Sequence, residues 1–272
     1  MKQTFIQKCV FVIKKAPLSI KWYFKKNKCE SVYFFTFHKC ASSLFSNYVL
    51  RNVNGLILKD YAKIIYKRGD HNIRFNKTGY IYGPLRLSAN TKSPVYKKLI
   101  APVSKSDFLS NKKAIFFIRD PRDILVSAYY SFGYTHGLSH VKQIRELQES
   151  KKSAILNQSI DEYVLNSVEE ISKNFKLLNS LLDKCNKSVV LKYEDMITNF
   201  DSFINSFREI VDINEDIVQD IYKKSRPRKK EEKTSHRRSG HPGGYKNKLK
   251  KETIITLNEI LHEVLIMFNY DQ

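Results

Sequence analysis

No stretch of about 18 uncharged apolar residues occurs in this 272-residue chain, so it offers no candidate membrane-spanning helix. Cysteine is scarce and scattered. Cys9, Cys29, Cys40 and Cys185 form no C-x-x-C pair and no cluster with histidine, which argues against a zinc site and suits a reducing compartment. Acidic residues are few: 27 Asp+Glu stand against 48 Lys+Arg, a formal net charge of +21. Such a field attracts polyanions, acidic membranes or highly phosphorylated small molecules, and says nothing about fold. There is no internal repeat. The glycines of a Walker A loop, G-x-x-x-x-G-K-[ST], are also missing: Lys39 stands three residues before Ser42 instead of directly before a hydroxyl. That disfavours ATP chemistry with a loop-bound magnesium ion.

What is present is a globular composition, 42% hydrophobic, long enough for one large α/β domain. Four short apolar runs read as strands: Val32–Phe37, Gly79–Tyr82, Ala114–Ile118 and Ser188–Leu191. The last two are nearly all apolar, as strands buried on both faces are, and helical patterns fill most of the gaps. That spacing predicts a mostly parallel sheet with crossover helices. The clearest helix spans Ile160–Leu182, opened by a Ser159/Glu162 capping box and carrying one apolar stripe. Further helices are expected at Phe200–Val211, Glu215–Lys223 and Glu252–Phe268. Residues 225–251 hold eleven Lys/Arg, two Glu, three Gly and two Pro, a composition that predicts a mobile basic loop and, on the sharper reading, a lid that orders on an anion. Residues 1–28 mix short apolar runs with lysines. They read as a packed basic arm, with a surface-lying amphipathic segment as the alternative.

Three constellations carry chemistry. In YFFTFHKCASS, residues 33–43, an apolar strand stops at His38-Lys39, and a polar turn leads into an amphipathic helix. A helix start exposes unpaired N–H groups; Lys39 adds a full charge, and Ser42 and Ser43 add hydroxyls, as a phosphate-like anion requires. Cys40, within that turn, reads as an ordinary buried thiol. In AIFFIRDPRDILVSAYYSF, residues 114–132, Arg119 emerges at the carboxyl end of a buried strand, where open α/β sheets bind ligands. Asp120-Pro121 makes the turn, and Asp123 is expected to cap the helix carrying Ser127. Arg119 and Ser127 then converge on a second anion. In RSGHPGGYKN, residues 238–247, glycines permit close backbone approach and Arg238 offers a planar fork.

Taken in order, these segments resemble the sulfotransferase family that uses 3′-phosphoadenosine-5′-phosphosulfate (PAPS). TFHKCASSL at 36–44 is similar to its 5′-phosphosulfate loop, FIRDPRDILVSAYYSF at 117–132 to its 3′-phosphate motif, VVLKYEDM at 189–196 to its late strand, and RSGHPGGYKN to its closing motif. The resemblance covers roughly residues 31–250 and implies a P-loop-like three-layer sandwich, one domain over 31–272 behind a basic segment at 1–30. It implies that Lys39 holds the phosphosulfate and stabilises the bridging oxygen. Main chain at His38, Cys40, Ala41, Ser42 and Ser43 and the two serine hydroxyls would complete that cradle. Arg119, Ser127 and Arg238, with Ser239 and Gly240 beside it, would bind the 3′-phosphate, and Tyr193 would lie near the adenine. No metal is implied, and the product nucleotide is 3′,5′-adenosine bisphosphate (PAP).

The sequence departs from the family at several points. His38 replaces a proline, Tyr245 replaces a tryptophan, and TGYIYGPLR at 78–86 lacks the Lys-Thr-His that supplies the general base in the cytosolic enzymes. His136 is the expected base, with His140 and His38 as rivals. The acceptor is expected to be a small-molecule or glycan hydroxyl, shaped by residues 84–112 and 133–158. A cytoplasmic protein fits the composition, with peripheral membrane contact through 1–28 as the alternative. The rival readings are a nucleic-acid or polyanion binder, supported by charge alone, and a nucleotide kinase on a related sheet.

Overall fold

The structure is a computed structural model that describes residues 29–68, 73–89, 96–105, 107–135, 137–227 and 240–271. The expectations for residues 1–28, His136, Arg238 and Ser239 lie outside the described residues. The apolar runs form strands β1 (Val32–Thr36), β2 (Ile57–Lys59), β3 (Tyr80–Arg86), β4 (Lys113–Ile118) and β5 (Lys187–Lys192). They build one five-stranded sheet in the order β2-β3-β1-β4-β5, and every pairing is parallel. Around it lie helices α1 (Ser42–Asn47), α2 (Tyr61–Arg68), α3 (Pro121–Tyr130), α4 (Lys142–Leu156), α5 (Ile160–Leu182), α6 (Tyr193–Thr198), α7 (Phe200–Arg208), α8 (Glu215–Ser225) and α9 (Lys251–Met267). Among the described residues, no helix is long and apolar enough to cross a membrane.

Every residue of β1 is buried, which is why its sequence shows no polar alternation. Alternate side chains serve the two faces. On one face Phe34 stacks on Phe45 of α1 (centroids 4.6 Å), and Phe117 meets Phe45 (4.5 Å) and Phe203 of α7 (6.0 Å). On the other, Phe35 stacks on Phe116 of β4 (5.1 Å), and Phe37 reaches Phe175 of α5 (4.5 Å), which in turn meets Phe268 after α9 (5.5 Å). Helices thus cover both faces, and each buried ring contributes about 1.5–3 kcal/mol from desolvation. The capping box of α5 forms as expected: Ser159 accepts from the Glu162 N–H, and Glu162 accepts from that of Ser159.

The structure corrects two expectations and adds one strand. Asp120, not Asp123, caps α3: its carboxylate accepts from the Arg122 N–H at 2.9 Å, and Pro121 takes the first helical position, where its missing N–H costs nothing. The strand expected to end at Tyr82 continues through Gly83-Pro84 to Arg86. The β1–β3 register shifts opposite Phe34, so Gly83 and Pro84 fit as a bulge. A Cβ on Gly83 would sit 2.7 Å from the Phe34 carbonyl oxygen, so only glycine fits there. β2 is an unforeseen edge strand.

Of the expected basic loop at 225–251, the described residues 225–227 and 240–251 are held against the fold. Arg226 donates to the carbonyl oxygens of Met196 and Ile197. Residues Gly244–Asn247 form a 3₁₀ turn, and Lys250 N–H donates to Asp161 at 3.0 Å.

Candidate active site

All strands run the same way, so their carboxyl ends share one edge of the sheet. The chain goes outward from β1 to β2, returns through β3, and crosses to β4 on the other side of β1. This reversal leaves a crevice beyond the ends of the central strands, where ligands sit in such sheets. A cavity of about 770 Å³ opens there. Lys39 lies just past β1, Arg86 ends β3, Arg119 follows β4 and Tyr193 follows β5; all four line the cavity, with His38, Ala41, Ser42, Ser43, Ser127 and Gly240. The sequence therefore placed in one site most of the residues it singled out.

The turn at 38–43 is strained. Lys39 (φ 70°) and Ala41 (φ 49°) both adopt left-handed backbone without being glycine. Each costs about 1–2 kcal/mol, held in place by the surrounding structure. The helix that follows, α1, is only six residues long. Few peptide dipoles sum there, so the anion character of the turn rests on its side chains more than on a helix macrodipole. Cys40 is fully buried, and burial pushes its thiol up to about 12. Its side chain does not line the cavity, so any contribution there is the main chain's.

Arg119 is the hinge of the site. Its Nη1 donates to the Lys39 carbonyl at 3.2 Å, which joins the ends of β1 and β4, and its Nη2 meets Asp123 at 3.1 Å. Its guanidinium lies 4.5 Å from the Tyr193 ring centroid. Burial opposes its charge, yet Asp123 foremost, with Tyr193, Cys40 and Glu194, holds its pKa above the ordinary arginine value. Among the described residues, Arg119 Nε and Ser131 Oγ are buried without a hydrogen-bond partner, and both residues line the cavity. Such groups are rare in folded proteins and suit a ligand that supplies acceptors.

Asp123 fastens the glycine-rich segment to this hinge. Its carboxylate accepts from the Gly243 N–H (2.9 Å) and the Tyr245 N–H (3.0 Å) as well as from Arg119. The Tyr193 hydroxyl donates to the Gly240 carbonyl. Behind them Arg122 is 1% exposed; its guanidinium forms a fork on Asp120 (3.0 and 2.7 Å) and stacks on Tyr245 (4.4 Å). Asp120 N–H donates to Glu194 at 3.0 Å; burial raises the Glu194 carboxyl, against the opposing pull of that N–H and of Arg119.

Sequence reasoning missed Arg86, whose Nε and Nη2 each lie 3.3 Å from Ser42 Oγ. It also missed Lys63, Lys224, Lys248 and His241 on the cavity wall. The strand-end rule that found Arg119 applies to Arg86, but Pro84 hid the strand. Of the three histidines considered as the base, His38 and His140 line the cavity, and His136 lies outside the described residues. A second cavity of about 290 Å³ adjoins the first and shares with it His38, Arg86, Phe132, Leu138 and Gln148.

With that geometry in hand, the relatives are informative. A model of the sulfotransferase domain family matches residues 19–268. The chain belongs to that family: its activity is sulfuryl transfer, and the donor implied by the sequence resemblance is PAPS. No curated protein gives a significant match. Among solved structures, mouse sulfotransferase SULT7A1 complexed with PAP is 13% identical with a TM-score of 0.53, covering 87% of this chain and 84% of its own. Retinol dehydratase in complex with androsterone and inactive cofactor PAP is 11% identical with a TM-score of 0.48, covering 86% of this chain and 80% of its own. The first likeness agrees with the parallel-sheet fold.

Proposed function

We propose that the larger cavity binds PAPS and that its sulfuryl group passes in line to a hydroxyl of a small-molecule or glycan acceptor held in the adjoining cavity. The observation that carries this reading is the convergence of Lys39 and Arg119, tied by one hydrogen bond, on a cavity whose wall holds two buried groups that lack partners among the described residues. A donor with a 3′-phosphate and a 5′-phosphosulfate carries about four negative charges. Arg119 and Ser127 would take the 3′-phosphate, Ser42, Ser43 and the backbone of 40–43 the 5′ end, and the Tyr193 platform the base. Lys39 would neutralise the bridging oxygen as the S–O bond breaks. Catalysis here is positioning plus charge stabilisation, as in phosphoryl transfer. His136, the expected base, lies outside the described residues; of its rivals, His38, edge-on to Phe132 (5.7 Å) at the wall common to both cavities, would receive the acceptor's proton.

Thermal-shift titration tests the reading. PAP is expected to stabilise the protein strongly, and ATP–Mg and DNA far less. Equal stabilisation by DNA, or none by PAP, refutes it. Lys39→Ala is expected to lower kcat by about 10²–10³, the loss typical of one transition-state donor.

A further inference from the structure

The two cavities meet at a wall of five residues, and only one of them carries a permanent charge: Arg86. We infer that Arg86 is a catalytic residue that holds the sulfuryl group itself during transfer. The inference rests on the donor reading above.

Three observations lead to it. First, in-line displacement puts the leaving oxygen, the sulfur and the attacking oxygen on one line. If the nucleotide fills the larger cavity and the acceptor the smaller, sulfur crosses where the two join. Second, Arg86 is fixed at that join by the sheet. It pairs with Thr36 in the β1–β3 register, and Leu87 N–H donates to the Thr36 carbonyl at 2.8 Å. Thr36 lies three residues before Lys39, so one strand end presents the lysine and its neighbour the guanidinium. Third, Arg86 is oriented toward the phosphosulfate turn, since its Nε and Nη2 both reach Ser42 Oγ. A guanidinium is a planar array of donors with a pKa too high to act as a base. It can follow three equatorial oxygens as their charge spreads, which a single hydroxyl cannot.

The step balances without a further reactant. The bond from sulfur to the bridging phosphate oxygen breaks, its electron pair staying with PAP. The bond from sulfur to the acceptor oxygen forms, and the acceptor's proton leaves to His38 or water. Lys39 meets charge on the leaving oxygen, and Arg86 meets charge on the oxygens in flight.

The test needs no identified acceptor, because PAP lacks the group that Arg86 is inferred to hold. Binding of PAP and of PAPS is measured by calorimetry on the wild type, Arg86→Gln and Arg86→Lys, with unfolding temperature checked for each. For Arg86→Gln, PAP affinity is expected to stay within threefold of wild type, while PAPS affinity falls about tenfold or more, the loss of a charge-assisted contact. Arg86→Lys should recover part of that loss. Labelled-sulfate transfer to whichever phenol, sugar or lipid of a screening panel reacts should fall about 10²-fold or more in Arg86→Gln. Equal weakening of PAP and PAPS would place Arg86 on the 5′-phosphate and overturn the inference. So would unchanged affinity for both, or a rise in acceptor KM at unchanged kcat. A wild type that binds neither nucleotide defeats the donor reading instead, so the two failures are distinguishable.

Discussion

Removing Asp123 should loosen two regions 120 residues apart in sequence. The carboxylate is 2% exposed, pairs with buried Arg119 and accepts both the Gly243 and the Tyr245 N–H. Asp123→Ala strands a buried guanidinium and two N–H groups at once. Breaking a buried ion pair from one side costs about 3–5 kcal/mol. The orphaned N–H groups add to this only as far as the 240–247 segment cannot turn outward to water. At about 2–4 °C per kcal/mol for a domain near this size, the unfolding temperature should drop by roughly 6–20 °C. Calorimetry reads the total, and amide exchange at Gly243 and Tyr245 reads the local part. Combining Asp123→Ala with Arg119→Met should cost much less than the sum of the two, because the stranded charge is then gone. A loss under about 1 kcal/mol, or unchanged exchange at both amides, would refute this account of the hinge.

Two further outcomes follow from buried titrating groups. Glu194 has its carboxyl raised above the ordinary 4.5 by burial. Above that value the unfolded chain has released a proton the folded chain still holds, so this group's contribution to stability falls as pH rises through the window. Glu194→Gln should therefore gain stability relative to wild type as pH rises above about 4.5, read from denaturant midpoints; an unchanged difference as pH rises would contradict the shift. Cys40, with a thiol near 12, should have about one part in 10⁴ as thiolate at about pH 8 and resist iodoacetamide until the protein is unfolded, whereas exposed Cys29 should react. Peptide mass mapping separates the two, and equal labelling rates would count against the buried placement.

Much of this architecture could be read from residues alone, for identifiable reasons. β1 and β4 announce themselves because strands buried on both faces have almost nothing but apolar residues to show. β5 was legible from its short Val-Val-Leu run, although as an edge strand it is half-buried and not covered on both faces as expected. Helix α5 does so because its cap and stripe agree. The failures also have causes. β2 is three residues long and half-buried, so it has neither length nor pattern to detect. β3 contains Gly83-Pro84, which reads as a turn and is here a bulge, and that reading concealed Arg86. Asp120 and Asp123 both suit a helix start. Only the fold shows that the second is spent on an arginine and on backbone brought back from residues 243–245. The site was legible where its groups follow strands in local order. It was illegible where it depends on partners set by tertiary contact.

The sheet's uniform direction has one more consequence. Neighbouring strands each deliver a single functional side chain to the same rim: Arg86, Lys39, Arg119 and Tyr193 in spatial order. Each is borne at or just past the end of its own strand, and β1 and β4 are packed through Phe34 on Phe45 and Phe35 on Phe116. Arg119 reaches the Lys39 carbonyl and Arg86 reaches Ser42, so replacing one side chain is felt by its neighbour through a few contacts, while the strands beneath stay paired. The rim can therefore change one side chain at a time while the sheet beneath it keeps its pairing.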